Sequence, residues 1–234
     1  MTKLAIGMTC APRQVGDYQY KYAHRAIASL RTAGFTEQLH VFAEPGTLAG
    51  GYLPDPAKYD VAVHENKERL WCFGNWKHGL NWLLANVDAD WYLLLQDDTI
   101  WKANGQPLLT AAMTAGKFAN VGFLSPYTSK SMVGNMKAKG WATAKFYRRA
   151  FWGALAVCMP KQSAAALAAF PRFNNHKHRR KLDVVIGNCF RDMHKPVMVH
   201  VPSLCDHIGE WSTLGRHRLK NNQWARRGFK FSNK

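Results

Sequence analysis

The chain has 234 residues, enough for one α/β domain with a full core. It carries 32 Lys and Arg against 15 Asp and Glu, a formal net charge of +17, and such an excess draws polyanions. Nucleic acid is the commonest of these, with anionic membrane surface or acidic glycan answering to the same field. No stretch approaches the roughly 20 apolar residues needed to span a bilayer. The apolar run over residues 4–11 is short and broken by Gly7 and Thr9, so it does not read as a secretory signal, and a soluble, cytoplasmic protein is expected. Five widely spaced cysteines, mostly in apolar surroundings, fit reduced core thiols better than a disulfide framework or a zinc site.

Residues 4–10 have the length and apolarity of a buried first strand, followed by a loop at Ala11-Pro-Arg-Gln. A helix follows, with Asp17 as its cap and Tyr18, Tyr22, Ala26, Ile27 and Leu30 at helical spacing up to Gly34. Residues 39–43 and 61–64 predict two short strands. The segment 73–86 predicts a helix with Trp76, Leu80, Leu83 and Leu84 on its apolar face and Asn75, Lys77 and His78 pointing away. That helix leads into Trp91-Tyr-Leu-Leu-Leu-Gln-Asp-Asp, an apolar strand that ends in adjacent carboxylates, Asp97 and Asp98.

Further on, residues 107–117 predict a helix with Leu108, Leu109, Ala112 and Met113 inward, and 121–126 a strand. The polar, Lys-rich stretch 127–140 reads as a mobile active-site loop. Residues 152–160 predict a strand stopped by Pro160, 162–169 and 182–191 helices, and 197–201 a last strand. Strands alternating with helices predict an α/β fold with a mainly parallel central sheet flanked by helices, and ligands outside the carboxyl ends of the strands. Two basic runs stand apart. Residues 172–181 include Lys177, Arg179 and Arg180, and the tail, residues 216–234, carries Arg216, Arg218, Arg226 and Arg227 among His217, Trp224 and Phe229. Basic residues that neutralise phosphates beside stacking aromatics suit a nucleic-acid arm; a merely solvated tail is the plainer alternative.

Carboxylates at the exposed end of a buried strand suit a hard divalent cation, which in turn holds a diphosphate. The plainer reading of Asp97 and Asp98 is a turn, where Asp is common. Lys77 and Arg13 could neutralise charge on the diphosphate.

Together these parts resemble a GT-A fold glycosyltransferase over roughly residues 3 to 215, similar to phage and bacterial nucleotide-sugar-dependent enzymes. Met8-Thr9-Cys-Ala11-Pro-Arg13 stands where that family meets the nucleotide, Gly74-Asn75 precedes the metal strand, and Gln96-Asp97-Asp98 resembles the family's Asp-x-Asp or Glu-Asp-Asp signature. Val201 to Thr213 resembles the stretch that holds a C-terminal metal-binding His. Gln96 departs from the pattern, as a neutral amide where a carboxylate is common. The resemblance implies Mn²⁺ or Mg²⁺ held by Asp98 and by His207, with Asp206 as the alternative. It implies a UDP-sugar donor contacted by Thr9, Ala11, Arg13, Asn75, Lys77, Gln96 and Asp97, and a sugar-side wall of Trp152, Gly153 and Ala154. Asp183 stands where the family places the carboxylate base of an inverting displacement; the plainer reading is a helix N-cap.

The basic excess favours a polyanionic acceptor. Phage enzymes that glycosylate hydroxymethylated pyrimidines in DNA are the members this chain resembles in that respect, which makes DNA the expected partner. Transfer to a cell-surface glycan, lipid or protein, and nucleic-acid binding without catalysis, are the alternatives.

Overall fold

The sequence run Leu4–Cys10 forms a strand, β1, whose seven residues are all buried, as expected of a strand covered on both faces. The structure is a computed structural model, and it describes residues 2–15, 18–129, 132, 139–144, 151, 153–175 and 181–209. After β1 come a two-residue ribbon, β2 (Gln14–Val15) with β3 (Tyr18–Gln19), then helix α1 (Tyr22–Thr32), β4 (Leu39–Ala43), β5 (Val61–Glu65), α2 (Trp71–Asn86), β6 (Trp91–Gln96) and β7 (Thr99–Trp101). Then follow α3 (Gly105–Thr114), β8 (Phe123–Ser125), β9 (Gly140–Thr143), β10 (Ala156–Pro160), α4 (Lys161–Ala169), α5 (Pro171–Asn174), α6 (Leu182–Asp192), β11 (Val197–Val201) and β12 (Cys205–His207).

Eight strands make one sheet in the order β5-β4-β1-β6-β10-β8-β11-β9. The four strands β5, β4, β1 and β6 are parallel; β10 runs against both neighbours, β8 and β11 are parallel, and β9 is an antiparallel edge. The sheet is thus mixed rather than mainly parallel at its β10 side. The chain moves outward from β1 through β4 to β5, then returns to the other side of β1 as β6. That reversal makes the carboxyl ends of β1 and β6 a topological switch point, the kind of place where open α/β sheets bind ligands.

Helix α2 is buried on more than one side. Phe73, Gly74, Asn75 and Trp76 are consecutive and all buried, because the helix lies between the sheet and α4, α5 and α6. Asn75 therefore faces inward, contrary to the amphipathic pattern. Its side-chain amide donates to the Phe42 carbonyl at 2.9 Å and accepts from Asn66 at 3.0 Å, which satisfies its polar atoms in the core. Glu44, buried at the end of β4, accepts from the Leu70 backbone N–H at 2.9 Å and so fixes the entry to α2.

Helix α1 starts at Tyr22, not near Asp17, which lies outside the described residues. Tyr18 belongs to β3 and is exposed rather than helical core, since residues 18 and 19 pair with Val15 and Gln14. Leu108, expected inward, is exposed on α3. The first residues of the expected mobile loop are core instead. Tyr127, Thr128 and Ser129 are buried, the Thr128 hydroxyl donates to the His200 carbonyl at 2.6 Å, and its N–H donates to the Ser203 hydroxyl at 3.0 Å. All five cysteines are free thiols, four of them buried.

Gly79 gives a test of α2 packing. A Cβ there would sit 2.7 Å from the Phe42 ring, which is itself enclosed by His64, His78 and Trp82. Gly79→Ala would gain about 1 kcal/mol from helix propensity alone. Overpacking typically costs about 1–3 kcal/mol, so the variant should be less stable, with a lower urea midpoint and unchanged slope.

Candidate functional site

The last residues of β1 and β6 lie side by side, and their hydrogen bonds aim two carboxylates in different directions. The Asp97 N–H donates to the Thr9 carbonyl at 3.1 Å, and the Thr9 hydroxyl donates to the Leu95 carbonyl at 3.3 Å. The Asp97 side chain turns back to β1, where Oδ2 accepts from the Ala11 N–H at 3.2 Å and Oδ1 pairs with Arg13 Nη2 at 2.6 Å. Thr9, Ala11 and Arg13 are thus brought together around Asp97.

Asp98 faces the other way. After it the chain forms β7, which pairs antiparallel with β12 so that Thr99 stands opposite His207. The Ile208 N–H donates to the Asp98 carbonyl at 3.0 Å, and His207 Nε2 lies 3.0 Å from Asp98 Oδ2. Asp206, one residue earlier, faces Lys102 at 3.8 Å. The structure therefore brings His207, and not Asp206, to Asp98. Gly209 completes the enclosure: a Cβ there would stand 2.2 Å from Asp98 Oδ2 and 2.7 Å from His207 Nε2. Sequence reasoning missed Gly209, because its role comes from a close approach across the fold.

Arg13 sits between the two carboxylates, buried, with Nη1 3.2 Å from Asp98 Oδ2 and its guanidinium 5.1 Å from the centre of the Tyr22 ring. Among the described residues, Arg13 Nε has no hydrogen-bond acceptor and Asp98 Oδ1 no donor, although both atoms are buried; Arg13 Nη1 has only its ion pair with Asp98. Burial by itself would raise the Asp98 carboxyl, but the charges of His207 and then Arg13 overcome it and hold Asp98 well below the usual carboxylate range. Asp97 is shifted upward, by burial against the Arg13 charge and then by the Asp98 charge. Burial would lower Arg13, yet Asp97 and Asp98 keep it firmly protonated.

Gln96 is explained by its partner. Its Nε2 donates to the Ala154 carbonyl at 2.9 Å, a contact a carboxylate would turn into repulsion. Gly153, with φ of +125°, has no space above it for a sugar, because a Cβ there would meet Met132 at 2.7 Å and the Tyr127 ring at 2.8 Å. At this part of the expected sugar-side wall, the space above Gly153 is thus filled by the protein's own side chains; Trp152 lies outside the described residues.

Asp183 lies in the first turn of α6, where the N-cap is Lys181, and its Oδ2 accepts from the Gly153 N–H at 3.3 Å. Burial raises the Asp183 carboxyl against its backbone hydrogen bonds. Cys72, at the start of α2, is pushed up to about 12 by burial first and then by the charges of Asp98 and Asp183. Lys77 is not part of this group: its Nζ reaches the Asn174 carbonyl at 3.5 Å and the Phe173 ring. Asn75 is likewise committed to the core. Lys177, Arg179, Arg180, Arg216, Arg218, Arg226 and Arg227 lie outside the described residues.

Among the described residues no group of three or more His, Cys, Asp or Glu converges as a metal cage. Asp98 and His207 fit a site of another kind, in which the protein supplies two ligands, one carboxylate oxygen still lacking a partner, and phosphate oxygens and water complete the shell. Neither a protein-family model nor a curated protein sequence matches the chain. No helix among the described residues is long and apolar enough to cross a membrane.

The Asp98–His207 contact should be lost in Gly209→Ala, since the new methyl group cannot share space with both side chains. A depressed carboxyl contributes stability above its unfolded value, about 3.9, and that contribution is lost as pH falls through the folded value. The variant should therefore be less stable than the native chain at neutral pH, with the difference closing in strong acid. Carbon-detected NMR titration should find its Asp98 nearer the ordinary range.

Proposed function

We propose that this chain is a metal-dependent glycosyltransferase that moves a hexose from a UDP-sugar to a hydroxyl acceptor, with a hydroxymethylated pyrimidine of DNA as the acceptor. One observation carries the reading. Among the described residues, the site leaves a buried acid oxygen, Asp98 Oδ1, and a buried guanidinium donor, Arg13 Nε, without hydrogen-bond partners. Unmet buried polar groups are costly, and these are of opposite kinds. The acid oxygen wants a cation and the guanidinium wants an anion. A divalent cation bound to a diphosphate supplies both in one ligand.

Asp98 and His207 would hold the cation, Mn²⁺ or Mg²⁺, which when bound supplies neutralisation of the charge that grows on the leaving diphosphate. Arg13 would donate from Nε to a phosphate oxygen, adding a fixed positive charge at the same place. Asp97 takes no part in the chemistry; it orients Arg13. On the other side, Asp183 would accept the proton of the acceptor hydroxyl as its oxygen bonds to the anomeric carbon and the bond from that carbon to the diphosphate breaks. A partly desolvated carboxylate with a raised pKa is a better base than a solvated one. The net charge of +17 supports a polyanionic acceptor over a neutral one.

Transfer of radiolabelled hexose to hydroxymethylated DNA in the presence of Mn²⁺ tests the reading, and label appearing only on lipid, glycan or protein would remove the DNA acceptor. Asp98→Asn should abolish the stabilisation that Mn²⁺ and UDP together give the native protein on heating. Asp183→Asn should leave that stabilisation intact and lower turnover by about 10²- to 10⁴-fold. Native activity should rise with pH through the raised Asp183 pKa, in a range above the ordinary carboxylate value near 4, and the residual activity of Asp183→Asn should lack that limb.

A further inference from the structure

Tyr18 in β3, Tyr20 just after it and Tyr22 at the first position of α1 recur at every second residue, and their rings meet in turn. The Tyr20 N–H donates to the Arg13 carbonyl at 2.8 Å, which ties this segment to the loop that delivers Arg13. The rings form a ladder: Tyr18 meets Tyr20 edge-on with centroids 4.6 Å apart, and Tyr20 stacks on Tyr22 at 5.5 Å. The ladder runs from solvent to the site. Tyr18 is 63 % exposed and Tyr22 only 7 %, and Tyr22 lies against the Arg13 guanidinium that joins Asp97 and Asp98.

We infer that Tyr18, backed by Tyr20, is a stacking platform for a nucleobase of single-stranded or extruded nucleic acid, placed at the outer end of an aromatic ladder that leads to the Arg13 site. Packing of the protein's own core does not account for the ladder, because its outermost ring remains largely uncovered. A nucleobase is the planar, apolar-faced group that such a ring takes, and its phosphates suit the strongly positive chain. A duplex offers its bases edge-on in the grooves, so a ring face can be used only by a base that has left the stack. The inference rests on the nucleic-acid acceptor proposed above and adds how that acceptor is held: out of the helix, with one base face on Tyr18.

The test is the affinity of the full chain for a fluorescent oligothymidine at physiological salt, beside its affinity for UDP with Mn²⁺, in the native protein, Tyr18→Ala and Tyr18→Phe. Tyr18→Ala should bind the oligonucleotide about tenfold more weakly, within the range found on removing one stacking aromatic. Tyr18→Phe, which keeps the ring, should stay close to native, and all three should bind UDP with Mn²⁺ alike. Equal oligonucleotide affinity in native protein and Tyr18→Ala would overturn the inference and leave the proposed function standing. So would a parallel loss in both variants, which would assign the effect to the hydroxyl, or a loss confined to UDP, which would assign the ring to the donor. A native protein that binds UDP with Mn²⁺ but no oligonucleotide would remove both the platform and the nucleic-acid acceptor.

Discussion

One buried guanidinium decides how the rest of the site is arranged. Two adjacent carboxylates at the end of a buried strand repel each other and lose their hydration, a cost of several kcal/mol per ion that only close pairing offsets. Arg13 supplies the pairing, at 2.6 Å from Asp97 and 3.2 Å from Asp98. It does so unequally. Asp97 also receives the Ala11 N–H and is used up in holding the β1 loop, whereas Asp98 keeps one buried oxygen with no hydrogen-bond partner among the described residues. Two neighbouring residues of the same type thus acquire different tasks from their hydrogen bonds alone.

The fold brings the remaining parts to that point. Parallel pairing of β1 with β6 sets Thr9 opposite Gln96, so the loop after β1 and the acid pair after β6 leave the sheet together. The β7–β12 ribbon then returns the chain from more than one hundred residues away, with His207 opposite Thr99 and beside Asp98. On the far side, the Gly153 N–H holds Asp183 at the start of α6. The site is therefore assembled from strand ends and the first turns of helices, elements rigid enough to hold charges in fixed positions before any ligand arrives.

Much of this architecture is legible in the residues. The strands β1, β4, β6 and β11 are continuous apolar runs with clear ends, and the helices before and after them follow their periodicity. The errors have physical causes. Tyr18 and Tyr22 are four residues apart, which suits one helix, but only Tyr22 lies in α1; residues 18 and 19 pair with Val15 and Gln14 in a ribbon before it. Asn75 reads as solvent-facing because a helix buried on several sides has no polar face to find. Gly153 is expected in a sugar-side wall, yet the space above it is taken by Tyr127 and Met132, which approach from elsewhere in the chain. Within the site, the acid pair stands out in the sequence, as the end of an apolar strand. Its division of labour does not, since that depends on Arg13 and Gly209 arriving from two distant segments.

If Asp98 and His207 hold a cation whose diphosphate partner meets Arg13, as proposed, a crystal soaked with Mn²⁺ and UDP should show, by anomalous scattering at the manganese edge, one peak in bonding contact with both Asp98 and His207, at about 2.0–2.3 Å, with phosphate oxygens within hydrogen-bond distance of the Arg13 guanidinium. A well-ordered nucleotide bound elsewhere, with Arg13 still closed over both carboxylates and no peak between Asp98 and His207, would contradict it.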